Sequence, residues 1–287
     1  NSSEIVEFIE WWSAMKILLI FNSYAAQVPQ LKKTIQLYKP LQSSCTESVA
    51  CYDISVALQL GENPPFPHSI LHIKESSPHR RWFLSAFQAY ERLGSSYDWY
   101  FILDGDTFVF LRQLEALLAE YTDPINISSY IGGSTEAHTS ILNHGVFPYG
   151  GGGVLVSNHA MRAIYPTKET CLRRYETIFG GDELLHRCFA DIGVKPIIAP
   201  SFHQMDMIGD VTGLFETFFT RTGVVTLHHL KQNHLGHQPM DLALKQLTRA
   251  SNLLSDMFGR RSLVETMCPQ NGEINRNKSF ILTHGIS

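Results

Sequence analysis

Apolar runs of strand length alternate with helical patterns in the first 121 residues of the chain, and this alternation limits the folds available to it. Three strands and three helices are predicted in alternating order, strand first, at residues 16–21, 31–37, 52–60, 81–93, 99–103 and 111–121. Strands that alternate with helices favour an α/β fold, in which helices flank a mostly parallel, Rossmann-like, doubly wound sheet.

The composition is that of a folded globular protein. Hydrophobic residues make up 44% and charged residues 17% of the 287 residues, enough for one large α/β domain. We expect this domain over residues 1–258, ending in a long helix at 239–258, and a polar, irregular tail over 259–287. A net charge of -4 argues against a nucleic-acid partner. No apolar run approaches the length of a membrane-spanning helix.

The strand predicted at 99–103 runs directly into two carboxylates, Asp104 and Asp106, separated by Gly105. The carboxyl ends of strands face the crevice in which open α/β sheets bind ligands. Two oxygen donors there suit a divalent cation, which can neutralise a diphosphate. A solvated turn is the alternative interpretation, because Asp and Gly favour turns. The first hypothesis is a metal-dependent enzyme acting on a nucleotide-activated substrate.

Tyr149 is followed by four consecutive glycines, Gly150, Gly151, Gly152 and Gly153, and then by an apolar strand pattern. Glycine lets the backbone approach a ligand closely, because no Cβ intervenes. A flexible loop is the alternative. The immediate change to Val-Leu-Val, with Asn158 as a helix N-cap, favours a ligand-lining turn.

Two further segments carry ionisable side chains. Asp182 and Glu183 follow a glycine pair in a pattern typical of a helix N-terminus. Asp182 is therefore either an N-cap or a general base towards a sugar hydroxyl. His228 and His229 end an apolar run, where an imidazole either belongs to the core or reaches a metal held by carboxylates.

The cysteines and sequons leave the cellular compartment open. Five cysteines are compatible with disulfides plus one remaining thiol, and equally with buried thiols. Asn-x-Ser sequons occur at Asn1, Asn126 and Asn277. The chain begins at Asn1 and not at Met, so an upstream signal or anchor could have been removed.

Taken together, segments between residues 99 and 230 resemble the Fringe/core 1 β-1,3-galactosyltransferase group, glycosyltransferase family 31. The resemblance is to its branch with an unbroken four-glycine turn, found in plants and fungi. Five segments in register carry it: Asp104-Gly-Asp106-Thr, Tyr149-Gly-Gly-Gly-Gly153, Cys171 through Asp182 to Cys188, Phe202-His203-Gln204 and His228-His229-Leu230.

The resemblance implies a GT-A fold, a UDP-sugar donor, Mn²⁺ and inversion at the anomeric carbon. It places the metal on Asp106, with Asp104 near the donor, and completes the metal site with His228, which we prefer, or His229. Asp182 falls at the position of the general base, and Glu183 takes that role if the alignment slips by one residue.

The resemblance also implies a Cys171–Cys188 disulfide. The four-glycine turn, with Tyr149 and His203, would form a wall beside the acceptor. Arg80 and Arg81 are candidates for contacting the diphosphate. Gly105 stands where the group often has an acidic residue close to the donor, which leaves the donor sugar open.

The function implied is transfer of a hexose (Gal, Glc or GlcNAc) from a UDP-sugar to a glycan or glycoprotein acceptor, forming a β-1,3 linkage. A disulfide indicates an oxidising lumen, and we expect a Golgi type II membrane protein whose N-terminal anchor precedes this chain. Whether the protein forms a homodimer stays open. The rival functions are a glycoside hydrolase, which also uses two carboxylates, and a catalytically silent sugar-binding relative.

Overall fold

The computed structural model describes residues 15–38, 50–59, 61–62, 69–93, 96–121, 123–135, 137–204 and 223–229, together with 242, 245–246 and 248–249. The helices are α1 Val28–Gln36, α2 Pro78–Leu93, α3 Leu111–Leu118, α4 His138–His144, α5 Asn158–Ile164, α6 Lys168–Arg174 and α7 Gly181–Asp191. The strands are β1 Met15–Asn22, β2 Ala50–Gln59, β3 Ser69–Ile73, β4 Trp99–Asp104, β5 Phe108–Val109, β6 Tyr130–Gly132, β7 Val154–Ser157, β8 Ile197–Ile198, β9 Phe202–Gln204 and β10 Thr226–His228.

The main sheet has seven strands in the order β3-β2-β1-β4-β7-β6-β8. Its pairs are parallel except those of β7, which runs antiparallel to both β4 and β6. A smaller sheet has the order β5-β10-β9. The predicted α/β fold with a mostly parallel sheet and flanking helices is confirmed.

Strand β4 lies in the middle of the main sheet and is buried on both faces. Trp99, Phe101 and Leu103 pack into the core on one side, and Tyr100 and Ile102 pack into the core on the other. A strand covered on both faces needs apolar side chains at every position, which explains the unbroken apolar run in the sequence. Burial of β4 fixes the place of Asp104, its last residue, and of Asp106 two residues later.

The predicted strands and helices in the first 121 residues are all present, with ends that differ by a few residues. Strand β3 was not predicted, because it follows the proline-rich residues 63–67, which lie outside the described residues. Of the predicted helix at 239–258, only residues 242, 245–246 and 248–249 are described, and they are helical. The tail at 259–287 lies outside the described residues.

The predicted cap of α5, Asn158, was wrong by one residue, and the N-cap alternative for Asp182 does not hold. Helix α5 is capped by Ser157, whose hydroxyl accepts a hydrogen bond from the backbone N–H of Ala160, and Asn158 is already helical. Helix α7 is capped by Gly180, so Asp182 lies inside its first turn. Within the described part of the chain, no helix is long and apolar enough to cross a bilayer.

Candidate active site

The Asp104-Gly105-Asp106 turn is held against the end of β1. The backbone N–H of Thr107 donates to the carbonyl of Asp104 at 3.1 Å, which closes the turn. A Cβ added to Gly105 would lie 2.8 Å from the Ser23 hydroxyl. Gly105 therefore lies in close contact with the end of β1, where a side chain would have to displace the Ser23 hydroxyl.

The two histidines reach this turn through the small sheet. β10 pairs antiparallel with β5, which begins two residues after Asp106, with Leu227 opposite Phe108. His228 Nε2 lies 3.3 Å from Asp106 Oδ1 and 3.5 Å from Asp104 Oδ2. His229 Nε2 lies 3.3 Å from Asp106 Oδ2. Both predicted histidines therefore meet the predicted carboxylates.

His229 adopts a left-handed backbone conformation, with a φ of 55°. Consecutive side chains of an extended strand point to opposite faces. The left-handed residue breaks this alternation, and the two imidazole rings stack with their centroids 3.7 Å apart. This conformation costs a non-glycine residue about 1–2 kcal/mol. The backbone thus keeps a strained residue where it brings a second imidazole to Asp106.

The histidine and the aspartates of this cluster shift one another's pKa values. Burial alone would lower the pKa of His228, but hydrogen bonds with Asp104 and Asp106 and their charges outweigh it and raise the pKa to about 9. Burial alone would raise the pKa of Asp106, but the hydrogen bond and charge of His228 outweigh it, so this pKa is lowered. The carboxylates therefore hold a positive charge at this place, which a divalent cation could supply instead of a proton.

The cluster fits a metal ion. Ligand atoms of Asp106, His228 and His229 all lie within 4.8 Å of one another. One carboxylate and two imidazoles form a donor set suited to divalent cations of the first transition series. Asp104 lies beside this cluster, within 3.5 Å of His228.

The four-glycine turn packs tightly between the histidines and the core. A Cβ on Gly151 would lie 2.3 Å from the His228 ring, and one on Gly153 would lie 2.6 Å from the ring of Phe101. Gly153 also has a φ of +92°, which a side chain rarely adopts. Close packing on both sides therefore excludes the flexible-loop interpretation.

Two threonines fix the turn in place. Thr107 donates a hydrogen bond from Oγ1 to the carbonyl of Gly151 at 2.7 Å, and Thr226 donates to the carbonyl of Gly152 at 2.5 Å. These threonines were missed at the sequence level, because no local pattern shows that residues 44 and 74 positions apart will meet. They connect the glycine turn to the residue that follows Asp106 and to β10, the strand that ends at His228.

Asp182 lies on the other side of the glycine turn, in the first turn of α7. Its Oδ2 accepts a hydrogen bond from the N–H of Gly150 at 2.8 Å, and its Oδ1 accepts one from the N–H of Glu183 at 2.9 Å. Burial raises the pKa of Asp182, although both backbone hydrogen bonds oppose the shift. The result is an oriented carboxylate with increased proton affinity.

Glu183 has different partners from Asp182. Ser140 donates a hydrogen bond to Glu183 Oε1, and His144 Nε2 lies 3.9 Å from its Oε2. Arg187 donates from Nε to His144 Nδ1 at 3.1 Å, so the proton of a neutral His144 ring lies on Nε2, which faces Glu183. Glu183 therefore belongs to a polar contact between α4 and α7.

One cavity of about 460 Å³ joins these groups. Its lining includes the four predicted carboxylates Asp104, Asp106, Asp182 and Glu183, together with Gly105 and His229. Gly150 and Gly151 also line it. His228 lies behind this surface, with a side chain that is only 6% exposed.

The remaining predicted wall residues are placed elsewhere. Tyr149 is buried, and a Cβ on Gly152 would lie 2.5 Å from its ring, so this pair belongs to the packing behind the turn. Gly153 faces Phe101. His203 lies on β9 opposite Leu227, and burial lowers its pKa to about 4. None of these four predicted residues belongs to the described cavity lining.

The two arginines have structural partners. Arg81 lines the cavity, but its Nη1 donates to the backbone carbonyl of Glu75 at 3.1 Å, and the residue is only 6% exposed. Arg80 donates from Nη2 to the carbonyl of Glu176 at 2.9 Å and is not among the described lining residues. Each guanidinium therefore holds a loop in the structure.

The predicted disulfide is present. Cys171 and Cys188 are bonded, with their Cα atoms 5.7 Å apart, and join α6 to the helix that carries Asp182. Asn126 is exposed, as a glycosylation acceptor must be. Asn1, Asn277, Cys45 and Cys268 lie outside the described residues.

Comparisons with known proteins point to glycosyltransferases. Residues 142–273 match a family described as a protein of unknown function, DUF604. A human and a mouse protein, each named beta-1,3-glucosyltransferase, are 31% and 32% identical to this chain over 110 residues. That match covers 37% of this chain, and the chain spans about one fifth (20%) of the length of these relatives.

Similar solved structures have lower sequence identity. One is a glycosyltransferase involved in the glycosylation of the major capsid of PBCV-1, with 12% identity, a TM-score of 0.45, and coverage of 81% of this chain and 98% of that one. Another is the galactosyltransferase LgtC, with 12% identity, a TM-score of 0.42, and coverage of 87% and 99%.

Proposed function

We propose that this protein is a metal-dependent, inverting glycosyltransferase of GT-A type that transfers a hexose from a UDP-sugar to a hydroxyl group of a glycan or glycoprotein. The observation that carries the proposal is the cavity, in which a cation-binding cluster and an oriented carboxylate face the same space. The partial similarity to named beta-1,3-glucosyltransferases supports it. A β-1,3 linkage is part of the proposal.

Asp106, His228 and His229 would hold the divalent cation, for which we propose Mn²⁺. At this place, Lewis-acid stabilisation of the charge on a departing diphosphate would be the contribution of a bound cation. Asp104 lies at the edge of this cluster, where it orients His228 through the 3.5 Å contact. The glycine turn excludes water behind the cluster, because Gly151 packs directly on the His228 ring.

Asp182 is proposed as the general base. Its two hydrogen bonds from backbone N–H groups fix the direction of the carboxylate, and its raised pKa strengthens its affinity for the acceptor's hydroxyl proton. General-base assistance is worth about 10²–10⁴-fold in rate. Glu183 is the alternative base, but its contacts with Ser140 and His144 favour a structural role.

The donor sugar and the compartment complete the proposal. The named relatives favour testing UDP-glucose beside UDP-galactose and UDP-N-acetylglucosamine. The Cys171–Cys188 disulfide supports an oxidising lumen, for which we propose the Golgi, with a type II anchor outside this chain.

The test is UDP release from a panel of UDP-sugars, measured with EDTA and after Mn²⁺ is restored. We expect one donor to support release that EDTA abolishes, and Asp106→Asn to remove the Mn²⁺-dependent signal. Arg80→Gln serves as the matched control, because Arg80 lies outside the described cavity lining. Release of free sugar from a glycan without UDP-sugar or metal would instead establish a glycoside hydrolase. Absence of both activities would leave a silent sugar-binding relative.

A further inference from the structure

We infer that Phe179 and His79 form a platform on which the ring of a neutral acceptor hexose stacks, with Ser140 and Glu183 binding its hydroxyl groups. The inference rests on the proposed function, because that reaction defines an acceptor. It assigns substrate contacts to Phe179, His79 and Ser140, which the sequence patterns did not mark, and it assigns to Glu183 a hydrogen bond to the acceptor instead of the role of alternative base.

Phe179 is unusually exposed for an aromatic side chain next to a catalytic carboxylate. It is 72% exposed and lines the cavity. Its ring centroid lies 4.2 Å from that of His79, at an interplanar angle of 52°. The ring is thus supported on one side by a neighbour, while most of its surface is open to a ligand.

The backbone holds this platform beside Asp182. A Cβ on Gly181 would lie only 2.2 Å from the carbonyl oxygen of His79, so the start of α7 lies directly against the start of α2. Only two glycines separate Phe179 from Asp182 in the sequence. A sugar stacked on the Phe179 ring would therefore lie near the carboxylate proposed to accept its proton.

The chemistry of the platform matches a sugar ring. The faces of a hexopyranose carry C–H groups, which pack on the negative face of an aromatic ring, while its hydroxyl groups need hydrogen-bond partners. Ser140 and Glu183 line the same cavity, and the Ser140 hydroxyl donates a hydrogen bond to the Glu183 carboxylate. An ionised carboxylate has about four lone-pair positions, so Glu183 can accept further hydrogen bonds beyond that from Ser140.

Charge narrows the class of acceptor. Asp182 and Glu183 place two carboxylates at this end of the cavity. Arg81 also lines the cavity, but its guanidinium donates to backbone carbonyls. A uronic or sialic acid would face repulsion here, because like charges in a partly buried site are unfavourable. The platform is therefore suited to a neutral hexose.

Phe179→Ala is the test, with Leu142→Ala as the matched control. Leu142 has the same 72% exposure, lies on α4, and is not among the described lining residues. Transfer is measured with methyl β-glucoside, methyl β-galactoside and methyl β-N-acetylglucosaminide as acceptors, and with methyl β-glucuronide as the anionic comparison. We expect Phe179→Ala to raise the acceptor KM by about tenfold, more than it raises the donor KM, and Phe179→Trp to restore it.

Direct binding separates this inference from the proposed function. Saturation-transfer NMR with the same methyl glycosides needs no donor or turnover, and Phe179→Ala is expected to remove the transfer to ring C–H protons. If the wild-type protein releases no UDP from any UDP-sugar, the proposed function fails, and the NMR comparison alone decides the platform. An acceptor KM and NMR signal in Phe179→Ala within twofold of wild type, or an equal loss in Leu142→Ala, would overturn the inference.

Discussion

Substitution of Gly151 by Ala is expected to weaken cation binding although it replaces none of the proposed ligands. The φ of Gly151 is not positive, so its backbone conformation is open to alanine, and only the side chains around it oppose the added Cβ. The added Cβ would lie 2.3 Å from Cε1 and Nδ1 of His228. His228 is buried and its ring stacks on His229, so it has little room to move.

The size of the effect follows from this distance. Real Cβ atoms essentially never approach within 3.0 Å of such neighbours, so the ring must retreat by about 0.7 Å, whereas metal–ligand distances tolerate only about ±0.2 Å. Disturbing the support of a ligand typically costs about 10–100-fold in metal affinity. Overpacking should also lower the free energy of unfolding by about 1–3 kcal/mol.

The assay is Mn²⁺ binding followed by electron paramagnetic resonance, with thermal unfolding of the metal-free protein beside it. Gly150→Ala is the matched control, because it makes the same change one residue earlier and its Cβ would contact Trp82 at 3.2 Å. We expect Gly150→Ala to retain Mn²⁺ affinity within about threefold. Folded Gly151→Ala protein with wild-type Mn²⁺ affinity would refute the reasoning.

Three further predictions concern other parts of the site. Burial raises the pKa of Asp182, and only its ionised form accepts a proton, so kcat/KM should rise with pH through a midpoint above the usual aspartate value of about 3.9. A midpoint at or below that value would contradict the role of Asp182 as general base. His229→Gly should weaken Mn²⁺ binding at least about tenfold, yet leave the metal-free protein as stable or up to about 1 kcal/mol more stable in chemical denaturation, since the left-handed strain is removed. Replacing Cys171 and Cys188 by serine should reduce the free energy of unfolding by about 3 kcal/mol, because a disulfide that closes a loop of about their 17-residue separation contributes that much. An unchanged denaturation midpoint would show that the disulfide contributes little stability.

The sequence was sufficient to predict the strand that positions the aspartates. β4 is apolar from Trp99 to Leu103 because it is buried on both faces, and its carboxyl end is where an α/β sheet places polar groups. The first-turn position of Asp182 and Glu183 also follows from local pattern, although the cap itself is Gly180. The local sequence therefore predicts structure at buried strands and at helix ends, because both restrict which residue types can occur there.

Contacts between distant segments could not be predicted in this way. The approach of His228 to Asp106 depends on the pairing of β10 with β5, which periodicity does not specify. The left-handed φ of His229 is not specified by its residue type, because histidine adopts this conformation only in a minority of cases. Only the structure shows that both imidazoles reach one carboxylate.

The glycine turn shows a related limit. Four glycines in sequence predicted a surface that lines a ligand, but only Gly150 and Gly151 line the cavity. Gly152 and Gly153 make room for Tyr149 and for the core side chain Phe101. Sequence reveals that a Cβ is absent, but it does not reveal which neighbour requires that absence.

The most direct test of the account is a crystal structure with Mn²⁺ and UDP, in which anomalous scattering at the manganese edge locates the ion. The account predicts one peak bound by Asp106 and both imidazoles, His228 and His229, with diphosphate oxygens completing its coordination. A manganese peak away from Asp106, or UDP bound with no ion at this cluster, would contradict it.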